Sequence, residues 1–297
     1  MKLVRYGDAG QERPGLVGSD GRLRDLSMLL PDLGPAQLSP RTLHALSLLD
    51  ADRLPVVDGP RRLGCPVAGV GKIVCIGLNY ADHAREAGLP IPPEPVLFCK
   101  ATTAISGPND PVVIPRGAHK VDWEAELAVV IGRCARYVPS EEAMHCVAGY
   151  TIVNDVSERD YQMHRNGQWD KGKGCDTFAP VGPWLVTPDE IPDPHRLRIW
   201  LDVNGQRIQD SSTDQLIFDI PKLISYVSHF MTLEPGDILS TGTPPGVGMG
   251  RKPEPQYLKP GDEMRLGVEG LGEQRQRCVA MPGHDGQLLT SAAQRPH

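Results

Sequence analysis

Apolar residues in this chain come in short runs rich in Val and Ile, and clusters of Gly, Pro and Asp separate them. Lys72 to Ile76, Val112 to Ile114, Leu127 to Ile131, Tyr150 to Val153, Arg198 to Val203 and Asp237 to Ser240 each have the length and β-branched content of a strand. Two further short strands are expected at Lys2 to Tyr6 and Gly15 to Val17, with a turn at Ser19-Asp20-Gly21. Helical spacing is scarcer. Pro40 to Leu49 carries it, Tyr80 to Ala87 opens after a strand and stops on Gly88, and Ile220, Leu223, Ile224 and Val227 repeat at i, i+3, i+4, i+7 within Ile220 to Phe230. The expected fold class is therefore β-rich α+β with few short helices.

A Pro/Gly-rich connection from Asp58-Gly59-Pro60 to Gly64-Cys65-Pro66 divides the chain. The expected organisation is a small N-terminal domain over 1–66, a larger domain over 67–280 and a polar tail over 281–297.

Composition narrows the class. Glycine and proline number 32 and 29 of 297 residues, well above their usual combined share of about 12%, which excludes a helical bundle or coiled coil. The net charge of −6 offers no basic footprint for nucleic acid or an anionic membrane. Seven scattered cysteines contain no C-x-x-C pair, so reduced thiols are expected rather than disulfides or a thiolate zinc site. With no leader-like apolar N-terminus and no run of about 18 apolar residues, a cytoplasmic protein is expected.

Five segments could carry chemistry. In Val121 to Gly132, Glu124 and Glu126 are two apart, so on a strand they share one side while Leu127, Val129 and Ile131 take the other. Paired carboxylates repel unless a shared proton, water or a cation relieves them, and a hard ion such as Mg²⁺ or Mn²⁺ would do so. The alternative is an exposed edge strand with solvated glutamates. Strand Tyr150 to Asn154 delivers Asp155 at its end, as a third acid or as a plain N-cap. In the helix after Gly77, His83 and Glu86 lie three apart on one face, as a base with its orienting carboxylate or as a surface contact. Lys173, between Gly172 and Gly174, could stabilise negative charge or belong to a solvated basic turn. Ser240 to Gly248 offers hydroxyls and amides suited to an anion, but Pro253 and Pro255 spoil a dinucleotide fingerprint. The chain contains no G-x-S-x-G, G-x-x-x-x-G-K-[ST] or H-E-x-x-H motif, which argues against a serine hydrolase, a P-loop NTPase and a zincin.

Taken in order, Gly77-x-Asn79-Tyr80-x-x-His83-x-x-Glu86, Glu124-x-Glu126, Asn154-Asp155-x-Ser157-x-Arg159-Asp160-x-Gln162, Gly172-Lys173 and Thr241-Gly242-Thr243-Pro244-x-Gly246-Val247-Gly248 resemble the fumarylacetoacetate hydrolase family from about residue 71 to 278. That resemblance implies a β-rich catalytic domain of mixed sandwich or roll form, often dimeric, carrying Mg²⁺ or Mn²⁺. By motif position it implies Glu124, Glu126 and Asp155 as metal ligands, and His83 with Glu86 as a water-activating dyad on a mobile lid. Lys173 is implied as the oxyanion-stabilising lysine, and Arg159, Gln162 and Thr243 as substrate contacts. Larger animal members have a further aspartate ligand just upstream of the His motif, near the place where Ile76 lies here, so three protein ligands are expected.

The stretch Lys171 to Val186, with Phe230 to Gly272, looks most like the family's 2,4-diketo-3-deoxy-L-rhamnonate and L-fuconate hydrolases. The implied reaction is hydrolysis of a carbon–carbon bond in a 2,4-dioxo acid, to pyruvate and a carboxylic acid. Decarboxylation of an oxaloacetate-like acid or isomerisation of a hydroxy-dienedioate would use the same site, and a non-catalytic metal-binding protein is the rival from another class. The expected partners are a small dioxo acid and a second copy of the chain.

Overall fold

The computed structural model describes residues 1–88 and 90–282; the expected tail over 281–297 lies almost wholly outside them. A large mixed sheet runs in the order Leu23–Asp25, Arg13–Val17, Lys2–Tyr6, Ala179–Val186, Val147–Asn154, Ala125–Ile131, Ile238–Ser240, Ile73–Gly77 and Val96–Lys100, with Ile105–Ser106 beside Ala179–Val186. A second sheet orders Gln206–Ser212, Arg198–Val203, Glu263–Val268, Gly272–Ala280 and Val112–Ile114. The helices are few and short, so the molecule has the β-rich α+β architecture that the apolar pattern predicts.

Strands Val112–Ile114 and Arg198–Val203 and helix Ile220–Phe230 fall where the spacing puts them. The helix starts on Asp219, whose side chain accepts from the Lys222 amide, and buries Ile220, Leu223, Ile224 and Val227 completely.

Ala125–Ile131 differs from a half-exposed strand in a way that bears on chemistry. It lies inside the sheet between Val147–Asn154 and Ile238–Ser240, and all seven of its residues are buried. Ala128 and Val130, on the same side as Glu126, make the second face largely apolar too, which is the pattern of a strand covered on both sides. The solvated edge strand is thereby excluded, and Glu126 enters the protein interior.

Residues 1–66 add three strands to one end of the large sheet, with Lys2 opposite Val186 and Leu3 opposite Leu185. Leu3, Leu26 and Leu38 belong to the same apolar core as Leu127. Arg62 bonds Asp110 through both Nε, at 2.8 Å, and Nη2, at 2.6 Å. Among the described residues no helix is long and apolar enough to cross a membrane.

Candidate active site

Sheet register builds the acidic centre. Val153 pairs with Glu126 and Asn154 with Ala125, and the Asp155 amide then donates to the Glu124 carbonyl at 2.8 Å. Glu126 in one strand, Glu124 just before it and Asp155 just past the end of its neighbour so converge, and one carboxylate oxygen from each of the three lies within 4.8 Å of the others. All three are buried. Burial first, then the charges of Asp155 and Glu124, push the Glu126 carboxyl well above the ordinary glutamate range. For Glu124 burial pushes the same way, but Lys173 and Arg159 outweigh it and hold the carboxyl below that range.

Three oxygen donors, one of them pushed towards its neutral form by burial and by its acidic companions, fit a hard divalent cation. Ile76 is on the adjoining wall and supplies no fourth carboxylate.

Buried cations frame the acids. Lys173 Nζ lies 2.7 Å from both Glu124 Oε2 and Asp155 Oδ2, and 4.8 Å from the centre of the Phe98 ring. Its segment is a short helix, Asp170–Lys173, packed so closely that a Cβ on Gly172 would stand 2.3 Å from the Glu158 carbonyl. The solvated basic turn is thereby excluded, because glycine lets the segment sink and carries Lys173 inside. Arg159 donates through Nη2 to Glu124 Oε1 at 2.6 Å, through Nε to Asp122 Oδ2 at 2.8 Å and through Nη1 to Gln162 Oε1 at 3.0 Å.

Two members of this network, Lys100 and Asp122, are absent from the residues that the sequence motifs single out. Both are buried, and each is bonded to one of the residues just described. The only local trace of Lys100 is a charged residue closing the apolar run Val96–Lys100.

His83 and Glu86 stand on the helix Ala81–Ala87, which leaves the end of strand Ile73–Gly77 and stops on Gly88 at φ +64°. His83 Nδ1 is 3.4 Å from Glu86 Oε2, and that oxygen also accepts from the Gly246 amide at 3.1 Å. Asn79, fully buried, anchors the preceding turn by donating to the carbonyls of Thr241 and Phe218 and accepting from the Phe218 amide.

The hydroxyl- and amide-rich loop does bind anions, but they are the protein's own. The Gly242 amide and Ser240 hydroxyl serve Glu126, the Gly246 amide serves Glu86, and the Gly248 amide serves Asp122. The Thr243 hydroxyl donates to the Ala125 carbonyl and accepts from Gln209, each at 2.9 Å.

One cavity of about 410 Å³ collects these groups. His83, Glu86, Glu124, Glu126, Arg159, Gln162, Lys173 and Thr243 all line it, against apolar walls from Phe98, Trp169, Met163 and Val247. Asp155 is the one expected site residue off the cavity wall, reached through its contacts with Lys173 and the two glutamates.

A β-rich fold that sets a carboxylate triad opposite a histidine–glutamate pair defines a recognisable class. The chain belongs to the fumarylacetoacetate hydrolase family, whose fumarylacetoacetate (FAA) hydrolase C-terminal model matches residues 72–279. A Burkholderia lata protein described no further than as a candidate hydrolase is 57% identical over 276 residues, spanning 93% of this chain and 98% of the relative. Maleylpyruvate hydrolase from Sphingobium sp. SYK-6, solved with manganese(II) and pyruvate, superposes with a TM-score of 0.79 at 31% identity, over 94% of this chain and 99% of that one. A 5-carboxymethyl-2-hydroxymuconate delta-isomerase from Mycobacterium smegmatis superposes at 0.74 and 35% identity, over 95% of this chain and all of that one.

Proposed function

We propose that this protein is a divalent-cation-dependent hydrolase that cleaves the C3–C4 bond of a 2,4-dioxo acid, giving pyruvate and a carboxylic acid. The observation that carries the reading is the shared cavity, in which the His83–Glu86 pair faces Glu124, Glu126 and Lys173. Glu124, Glu126 and Asp155 would hold Mg²⁺ or Mn²⁺, which when bound supplies Lewis-acid charge to the 2-oxo acid end of the substrate.

The chain's own groups divide the remaining work. Glu86 meets His83 at Nδ1 and leaves Nε2 to take a proton from water. The resulting hydroxide adds to the C4 carbonyl. Collapse of that adduct breaks C3–C4, releases the acyl part as a carboxylic acid and leaves the bonding pair on C3, which a proton then quenches to give pyruvate. Lys173 offsets negative charge on the oxygens during addition. Gln162 accepts from Arg159 through Oε1, which turns its amide nitrogen to the substrate, while Arg159 and Thr243 shape the wall.

A 2,4-diketo-3-deoxy sugar acid or an acylpyruvate is the substrate class of this reading, and a cytoplasmic homodimer, with no nucleic acid or membrane as partner, is its setting. The likeness to a solved isomerase supports a second reading, in which the same site moves a proton in a hydroxy-dienedioate and water takes no part. Purified protein with Mg²⁺ or Mn²⁺ should be incubated with acylpyruvates, diketo sugar acids, oxaloacetate and a hydroxy-dienedioate. Pyruvate with an equimolar carboxylic acid supports the hydrolase; carbon dioxide or a shifted double bond overturns it, and cation binding without turnover of any of them marks a non-catalytic protein.

A further inference from the structure

One buried carboxylate beside the cavity has no part in the chemistry just described. Asp122 closes the short strand Val121–Asp122, has no exposed surface and faces four donors. Arg159 Nε reaches Oδ2 at 2.8 Å, the Met249 amide reaches Oδ2 at 3.0 Å, the Gly248 amide reaches Oδ1 at 2.6 Å and the Trp123 amide reaches Oδ1 at 2.8 Å. The next side chain holds the same loop, since Trp123 Nε1 donates to the Gly246 carbonyl at 3.1 Å. The third in the row is Glu124. Three consecutive residues thus tie the Gly246–Met249 loop and the acidic centre to one short segment.

The loop is in turn the seat of the histidine helix. Gly246 is gripped on both sides, its carbonyl by Trp123 and its amide by Glu86. Its approach is close enough that a Cβ on Gly246 would lie 2.2 Å from the Ile208 carbonyl, and one on Gly248 would lie 2.0 Å from the Gln256 carbonyl. Arg159 completes the path, because one guanidinium bridges Asp122 and Glu124.

We propose that Asp122 is a positioning residue that couples the seating of helix Ala81–Ala87 on the Gly246–Met249 loop to the arrangement of Glu124 at the cation site. It acts through Arg159 on one side and through the loop amides on the other. The inference rests on the reading of Glu124 as a cation ligand and of His83 with Glu86 as the water-activating pair. An ionised carboxylate can accept from all four donors at once, whereas an amide at this place has one accepting oxygen and points an N–H at another donor. By linkage, whatever fixes Glu124 for the cation must fix the helix to the same extent, and the reverse.

Asp122→Asn in the full chain keeps the shape and tests this with two readouts, Mn²⁺ binding by calorimetry and amide hydrogen exchange over residues 81–87. In the wild type Mn²⁺ should slow exchange in the helix. In the variant Mn²⁺ should bind about tenfold or more weakly, since bonds to a charged group are lost, the helix should exchange faster, and Mn²⁺ should no longer slow it. With a substrate in hand, kcat should fall by a larger factor than KM rises. A variant with a lowered melting temperature but wild-type Mn²⁺ affinity and helix exchange overturns the proposal. A wild type that binds no Mn²⁺ overturns the cation site itself, and equal helix exchange in wild type and variant without Mn²⁺ then overturns the coupling. If Asp122→Asn does not fold, Trp123→Phe trims the buried ring and removes its Nε1 bond to the Gly246 carbonyl while leaving the four donors to Asp122 in place. It should speed helix exchange, and unchanged exchange there overturns the proposal as well.

Discussion

Lys100 Nζ sits 2.6 Å from Asp155 Oδ1, with neither side chain exposed to solvent. It also donates to the Val156 carbonyl at 3.0 Å, so it fixes both the carboxylate and the backbone turn behind it. Lys173 takes the other oxygen of Asp155. Asp155 is thus held at both oxygens, and its orientation towards Glu124 and Glu126 is set before any ligand arrives.

Lys100→Met should therefore cost stability. Removing one partner of a buried ion pair strands the other, a loss on the order of 3 kcal/mol, and here Lys173 remains to moderate it. Urea unfolding of metal-free wild type and variant measures the difference. A change below about 0.5 kcal/mol, the size expected of an unremarkable surface site, would show that the pair is not structural.

The triad and the dyad meet different needs, so their losses should separate. Glu124→Gln and Asp155→Asn should remove cation dependence and nearly all turnover. His83→Ala should still bind Mn²⁺ while its rate falls about 10² to 10⁴-fold, the usual worth of a general base. Calorimetry and product assays on the same preparations check both. Wild-type hydrolysis by His83→Ala would remove His83 from the mechanism.

Cation affinity should rise with pH. The Glu126 carboxyl is pushed well above its ordinary range by burial and by its acidic neighbours, so below its shifted value it holds a proton that a cation must displace. Affinity gained as pH rises through that value should level off above it, and binding near its lower edge should release a proton. Titration with Mn²⁺ across pH, in two buffers of different ionisation enthalpy, reads the proton directly. Affinity that falls as pH rises would contradict the sign.

Local chemistry was legible in the sequence, and long-range pairing was not. The two-residue spacing of Glu124 and Glu126 and the three-residue spacing of His83 and Glu86 state which side chains share a face. That Asp155 meets Glu124 depends on the Val153–Glu126 register, which no local pattern encodes. Two strands hid for opposite reasons. Ala179–Val186 contains Pro180 and Pro183 and reads as a loop, whereas Gly272–Ala280 alternates properly but turns Gln274 and Gln276 inward. Gln274 Nε2 satisfies the carbonyls of Ile152 and Gly182, at 2.9 Å each, so polar residues serve as interior ones and the usual apolar signal is missing. Lys100, Asp122 and Arg159 escaped as a network for the same reason, since each is an ordinary surface residue type until a distant partner makes its burial tolerable.

Gly246→Ala tests whether the loop's closeness is required. At φ +99° the alanine would be strained on conformation alone, and its Cβ would meet the Ile208 carbonyl at 2.2 Å, a backbone atom of the second sheet that cannot swing aside. The loop must then retreat, taking with it the amide that holds Glu86. Stability should fall by about 1 to 3 kcal/mol, the range for strain at such a position, and Glu86 should lose its seat even in protein that remains folded. Gly261→Ala is the control, since it also has positive φ, at +100°, yet its Cβ would meet nothing within 4 Å. Denaturant midpoints for the two variants separate backbone strain from collision, and turnover separates both from the loss of Glu86. Equal turnover per folded molecule in the two would mean that the Gly246 amide does not matter to the site.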